Sequence, residues 1–275
     1  MKAGMSPRLS LISHRILFSS LILVLAASCS PSGDQSSKES AQSTTGAKSS
    51  EMVTITSGED QVEAYLSRPA GTPEGVVVVV QEWWGLNDWL INVTDRFAER
   101  GYIAIAPNLY RMPAVTDPEK AHELMRGLQE DRAVGDLRSA VEYVNGLRGD
   151  DPLPAAIVGF CMGGRLSLMA SLDKGPFDAT VVCYGRPETS SERLATLPGP
   201  LLGIFGADDQ GIQEDQIGEF EAGLQASGRE FDVVVYDNAG HAFLNDTQPS
   251  YAPDAAREAW QRIDKFLIQS LYSVD

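Results

Sequence analysis

The chain has 275 residues, 43% hydrophobic and 22% charged, which suits one α/β domain with a sizeable core. A formal net charge of −16 with no basic stripe excludes nucleic acid as the expected partner class. Three cysteines and three histidines, none at metal-ligand spacing to another cysteine, exclude a disulfide framework and argue against a metal site.

The chain opens with Lys2, Arg8 and Arg15 ahead of the apolar run Ile16 to Ala27. That run suits a signal-peptide core and is short for a membrane span. It ends in Leu25-Ala26-Ala27-Ser28-Cys29, which resembles the bacterial lipoprotein cleavage box. The resemblance implies removal of residues 1–28 and lipidation of Cys29. Residues 29–50 are rich in Ser, Thr, Gln and Gly, and read as a flexible tether. The expected location is therefore the bacterial cell envelope, with membrane contact through the lipid alone.

From residue 51 to 275 the pattern changes to a single folded domain. Met52–Thr56 and Val62–Leu66 alternate apolar and polar residues around Ser57-Gly58-Glu59-Asp60, which predicts an antiparallel hairpin at a sheet edge. Five valines, Val76 to Val80, predict a strand buried on both faces. A helix is expected over Trp89–Glu99 and a strand over Tyr102–Ala106. Helices are expected over Pro118–Leu128 and Asp131–Leu147, the second with Ala133, Leu137, Ala140, Val141, Val144 and Leu147 on one face. Strands then follow at Ala155–Val158, Ala179–Tyr184, Leu201–Phe205 and Phe231–Tyr236. Ile217, Phe220 and Leu224 mark one intervening helix, and Ala259, Ile263, Phe266 and Leu267 the terminal one. Alternating strands and helices argue for a largely parallel central sheet with helices on both faces.

Chemistry gathers where such strands end. Gly159-Phe160-Cys161-Met162-Gly163 sits between a strand and a helix, as a nucleophile elbow with Cys in place of Ser. Glu82 follows the valine strand, Asp208 and Asp209 follow Leu201–Phe205, and His241 follows Phe231–Tyr236. The order Cys161, aspartate, His241 is that of nucleophile, acid and base in α/β hydrolases. His122 reads as a surface residue, and Cys183, within an apolar strand, as an inert small hydrophobe. Trp83, Trp84 and Trp89 read either as walls of an apolar pocket or as core. The segment Met112 to Asp117 is a candidate mobile edge on composition.

The chain resembles the dienelactone hydrolase family, the cysteine branch of the α/β hydrolases. The resemblance rests on Gln81-Glu82-Trp83-Trp84-Gly85, Ala106-Pro107-Asn108-Leu109-Tyr110, Gly159 to Gly164, Gly206 to Ile212 and Ala239-Gly240-His241-Ala242-Phe243. It implies an α/β-hydrolase fold, a Cys161–His241–Asp209 triad and a thioester intermediate on small esters or lactones, without cofactor. It also implies a thiol-contacting role for Glu82 and oxyanion-binding roles for the Trp83 and Met162 N–H groups. Tyr110, Arg111, Trp84 and Phe243 are the expected substrate contacts. Where dienelactone-cleaving members carry an Arg four residues after the His, this chain has Asn245, and Pro-Asp-Leu-Tyr becomes Pro107-Asn108-Leu109-Tyr110. An acyltransferase on the same site and a non-catalytic binding lipoprotein are the alternative readings. A monomer is expected.

Overall fold

The structure is a computed structural model and describes residues 48–272. Residues 1–47, with the signal-peptide and Cys29 expectations and most of the tether, lie outside it. So do residues 273–275.

Eight strands form one sheet. They are β1 (Ser49–Ser57), β2 (Asp60–Arg68), β3 (Val76–Val80), β4 (Ile103–Pro107), β5 (Ala155–Phe160), β6 (Ala179–Cys183), β7 (Leu201–Gly206) and β8 (Phe231–Tyr236). Their spatial order is β1-β2-β4-β3-β5-β6-β7-β8. β1, β2 and β4 pair antiparallel, and every other pairing is parallel. The hairpin expected from the alternating pattern is present, and its second strand joins the sheet through β4. β1 begins at Ser49, inside the stretch whose composition reads as tether, and Lys48 already pairs with Glu99 at 3.0 Å.

The helices are α1 (Asp88–Glu99), α2 (Pro118–Gly127), α3 (Glu130–Gly146), α4 (Met162–Leu172), α5 (Ser191–Leu194), α6 (Glu214–Ser227) and α7 (Pro253–Leu271). Short α5 has no counterpart among the expected elements; its four residues are fewer than periodicity can report. The sheet separates two apolar layers. Val76, Val78 and Val80 face one layer, with Leu137 of α3, Leu166 of α4 and Phe220 of α6. Val77 and Val79 face the other, with Phe97 of α1 and Trp260 and Ile263 of α7. This two-sided burial is the reason β3 is uninterrupted valine. Leu147 departs from its expected place on the α3 face: it caps the helix and is exposed. Trp89 belongs to the core, edge-on to Phe160 at 5.1 Å.

Candidate active site

β5 ends at Phe160 and α4 begins at Met162, so Cys161 alone makes the turn, at φ 56° and ψ −118°. A residue with a Cβ is strained there, and surrounding structure must hold it. Two glycines allow that structure to close in. A Cβ on Gly159 would collide with the Gly163 carbonyl, and one on Gly163 with the Val80 and Gln81 carbonyls. α4 therefore lies directly against the end of β3. That contact brings the Met162 N–H, at the first turn of α4, to the same end of the sheet as the Trp83 N–H. Neither donates a hydrogen bond among the described residues. Two unspent donors beside a helix N-terminus suit an oxyanion.

The Cys161 Sγ lies 3.0 Å from His241 Nε2, and His241 Nδ1 lies 2.7 Å from Asp209 Oδ2. Asp209 is buried. Its other oxygen accepts the Gly211 N–H at 2.8 Å and the Ile212 N–H at 3.1 Å. Burial pushes the Asp209 carboxyl up, but these bonds and the nearby imidazolium outweigh it and hold the carboxyl below its ordinary value. Burial likewise pulls His241 down, while Asp209 and Cys161 outweigh it and raise the imidazole to about 10. Of the two adjacent aspartates, the structure selects Asp209; Asp208 is exposed.

Glu82 is also buried, at 3% exposure, with different partners. Asn245 Nδ2 donates to its Oε2 at 2.8 Å, and the Tyr184 hydroxyl to its Oε1 at 3.4 Å. Burial dominates and pushes its carboxyl up to about 7. The expected Glu82–Cys161 contact is not formed: the hydrogen bond of the thiol goes to His241, and those of Glu82 go to Asn245 and Tyr184. Tyr184 has no place among the sequence-derived site residues, yet its ring also lies edge-on to His241 at 5.3 Å. A Tyr ending an apolar strand next to an inert Cys carries no local mark of this role. Cys183 is fully buried, as expected.

These groups open into a cavity of about 760 Å³. Trp84 lines it, as expected, and so does Trp83; their rings lie 4.7 Å apart. His122, read from sequence as surface, is exposed but also lines the cavity, edge-on to Trp83 at 5.1 Å. The other expected substrate contacts lie elsewhere. Phe243 is fully buried between Tyr184 and Tyr236. Arg111 is held by Asp60 at 2.6 Å and by buried Asp136 at 3.0 Å. Tyr110 sits behind the cavity, its hydroxyl donating to the Trp83 carbonyl at 3.0 Å, so it fixes the main chain there. The Met112–Asp117 segment is tied back to the site by the Val115 N–H on the Trp84 carbonyl at 2.9 Å. Among the described residues, no three His, Cys, Asp or Glu side chains gather to hold a metal ion.

A mostly parallel sheet with a strained strand–Cys161–helix turn, and an aspartate and a histidine on later strand ends, defines an α/β hydrolase. The pattern of the dienelactone hydrolase family matches residues 62–271, and the chain belongs to that family of carboxylic ester hydrolases. A Methylorubrum extorquens protein named "Putative carboxymethylenebutenolidase" is 32% identical over 79% of this chain and 80% of its own length. A protein of the same name from Escherichia coli K12 is 31% identical over 77% and 84%. Among solved structures, a Klebsiella pneumoniae protein described as "Putative Dienelactone Hydrolase" superposes with a TM-score of 0.75. It is 30% identical and covers 81% of this chain and 99% of its own.

Proposed function

We propose that the protein is a cysteine-dependent hydrolase of esters or lactones, working through a Cys161–His241–Asp209 triad and a thioester. The observation that carries this reading is the unbroken chain of contacts Cys161–His241–Asp209, at 3.0 and 2.7 Å. A thiolate is the reactive form of cysteine. His241 and Cys161 share one proton, which sits on the imidazole when the thiolate forms, and Asp209 orients the ring and stabilises its cation. The thiolate attacks the carbonyl carbon, and the charge on oxygen falls to the Met162 and Trp83 N–H groups. As the C–O bond breaks, His241 returns its proton to the departing alkoxide; in a lactone that oxygen stays on the acyl group. His241 then deprotonates a water, which attacks the thioester and releases the acid and the Cys161 thiolate. His241 serves in turn as acid and as base, and no step calls for a cofactor.

We also propose, on the Leu25-Ala26-Ala27-Ser28-Cys29 box, that the enzyme is a monomer tethered in the cell envelope through a lipid on Cys29. Loss of fatty-acid labelling and of membrane sedimentation in Cys29→Ser supports the anchor; labelling that persists rejects it.

The deciding experiment is hydrolysis of p-nitrophenyl acetate, a simple lactone and a dienelactone by wild type and Cys161→Ala. Loss of the nucleophile is expected to lower turnover by about 10³-fold or more. Equal rates in the two proteins would reject Cys161 as nucleophile.

A further inference from the structure

Helix α2 is packed unlike its neighbours. Only Ala121 among its ten residues is buried, whereas α1 and α3 each bury a full apolar stripe. Asp117 caps its first turn through the Glu119 and Lys120 N–H groups, so the helix is well formed with only Ala121 buried beneath it. Its His122 leans on Trp83, and its Met125 faces the cavity, joined just past the helix end by Leu128. Amphipathic helices normally spend their apolar side on the core. In this one Ala121 is buried, while Met125 and His122 line the open space of the Cys161 cavity.

The opposite walls of that space are apolar as well: Trp84, Met162, Leu166 and Ile212. Of its cations, Arg165 is already engaged by Glu130 at 3.2 Å, and Arg186 is exposed. A cavity of about 760 Å³ is large enough for a drug-sized ligand. A compact lactone leaves most of these walls wet.

Resting on the hydrolase reading above, we infer that α2 and Leu128 form a specificity wall, and that the preferred substrate is an ester carrying a bulky, extended apolar arm. That arm lies along Trp83, Trp84, Met125 and Leu128 while the ester carbonyl sits at Cys161. Discrimination then comes from apolar area removed from water.

The test is the chain-length dependence of kcat/KM, for p-nitrophenyl acetate, butanoate and hexanoate below their micelle concentrations, and for methyl against 2-naphthyl acetate. The first series extends the acyl arm and the second the alcohol arm. In the wild type, one series is expected to rise by about tenfold or more from its smallest to its largest member. Met125→Ser, at a half-buried position, is expected to cut that ratio by roughly fivefold, and His122→Ala to lower it as well. Flat profiles in both series, with acetate turnover that still depends on Cys161, would overturn the inference and leave the hydrolase reading intact. A rising profile indifferent to both variants would overturn the role of α2. No Cys161-dependent turnover of any ester would overturn both readings together.

Discussion

Two carboxylates are buried in this site to almost the same depth and end in opposite states. Asp209, at 4% exposure, accepts two main-chain N–H groups and faces the His241 imidazole. Glu82, at 3% exposure, receives one amide and one long hydroxyl bond, and has no ion-pair partner among the described residues. The first is held below its ordinary pKa, and the second is pushed up to about 7. Burial pushes both carboxyls up; at Glu82 it prevails, and at Asp209 the imidazolium and the main-chain donors overcome it. The count and charge of the donors decide the difference.

The contrast can be broken at either carboxylate. Asp209→Asn keeps the shape but removes the charge that orients and stabilises the imidazolium. The expected loss in kcat is about 10³- to 10⁴-fold, measured as steady-state ester hydrolysis. A loss under tenfold would show that His241 works without its aspartate.

Glu82 is tested through stability. Folded Glu82 retains a proton that the unfolded chain releases above 4.5, so the folded form binds more protons between pH 4.5 and about 7. Stability from this group is full below pH 4.5 and declines as pH rises to 7, by about 3 kcal/mol in total. Glu82→Gln is expected to remove that slope in urea unfolding compared across the window. Parallel pH curves for the two proteins would place the Glu82 pKa near that of an ordinary glutamate.

The smallest effect sharpens the contrast instead of breaking it. Tyr184→Phe removes the long bond to Glu82 at 3.4 Å, which favours the carboxylate. The carboxyl is expected to titrate still higher, by a fraction of a unit, in difference infrared titration of its C=O band. The accompanying cost is about 1 kcal/mol in stability. A downward shift would mean that Tyr184 holds the protonated form.

The site is partly legible in the amino-acid sequence. Cys161 stood in a strand–Gly-x-Cys-x-Gly–helix pattern, and the Asp208-Asp209 pair and His241 followed later strands in hydrolase order. Each of these signals is local or ordinal, and survives without knowledge of packing. Phe243 and Arg111 stood next to site motifs but point elsewhere, into the core and onto Asp60 and Asp136. Adjacency in sequence says nothing about which side of a loop a side chain leaves. His122 shows the converse. Its neighbours Glu119 and Arg126 mark a solvated helix, and His122 is indeed exposed, yet it also lines the cavity with Met125.

Sequence alone determined the α/β architecture, the eight strands to within a few residues, and the chain order of Cys161, an aspartate (Asp208 or Asp209) and His241. Strand burial and elbow geometry are written in short-range patterns of Val, Gly and Cys. Only the tertiary structure decided that Glu82 pairs with Asn245, 163 residues away, and with Tyr184 instead of the thiol. Only it showed α2 to be a cavity wall. Both depend on which loops converge above the sheet, and that convergence is fixed by long-range packing, for which no local periodicity carries a signal.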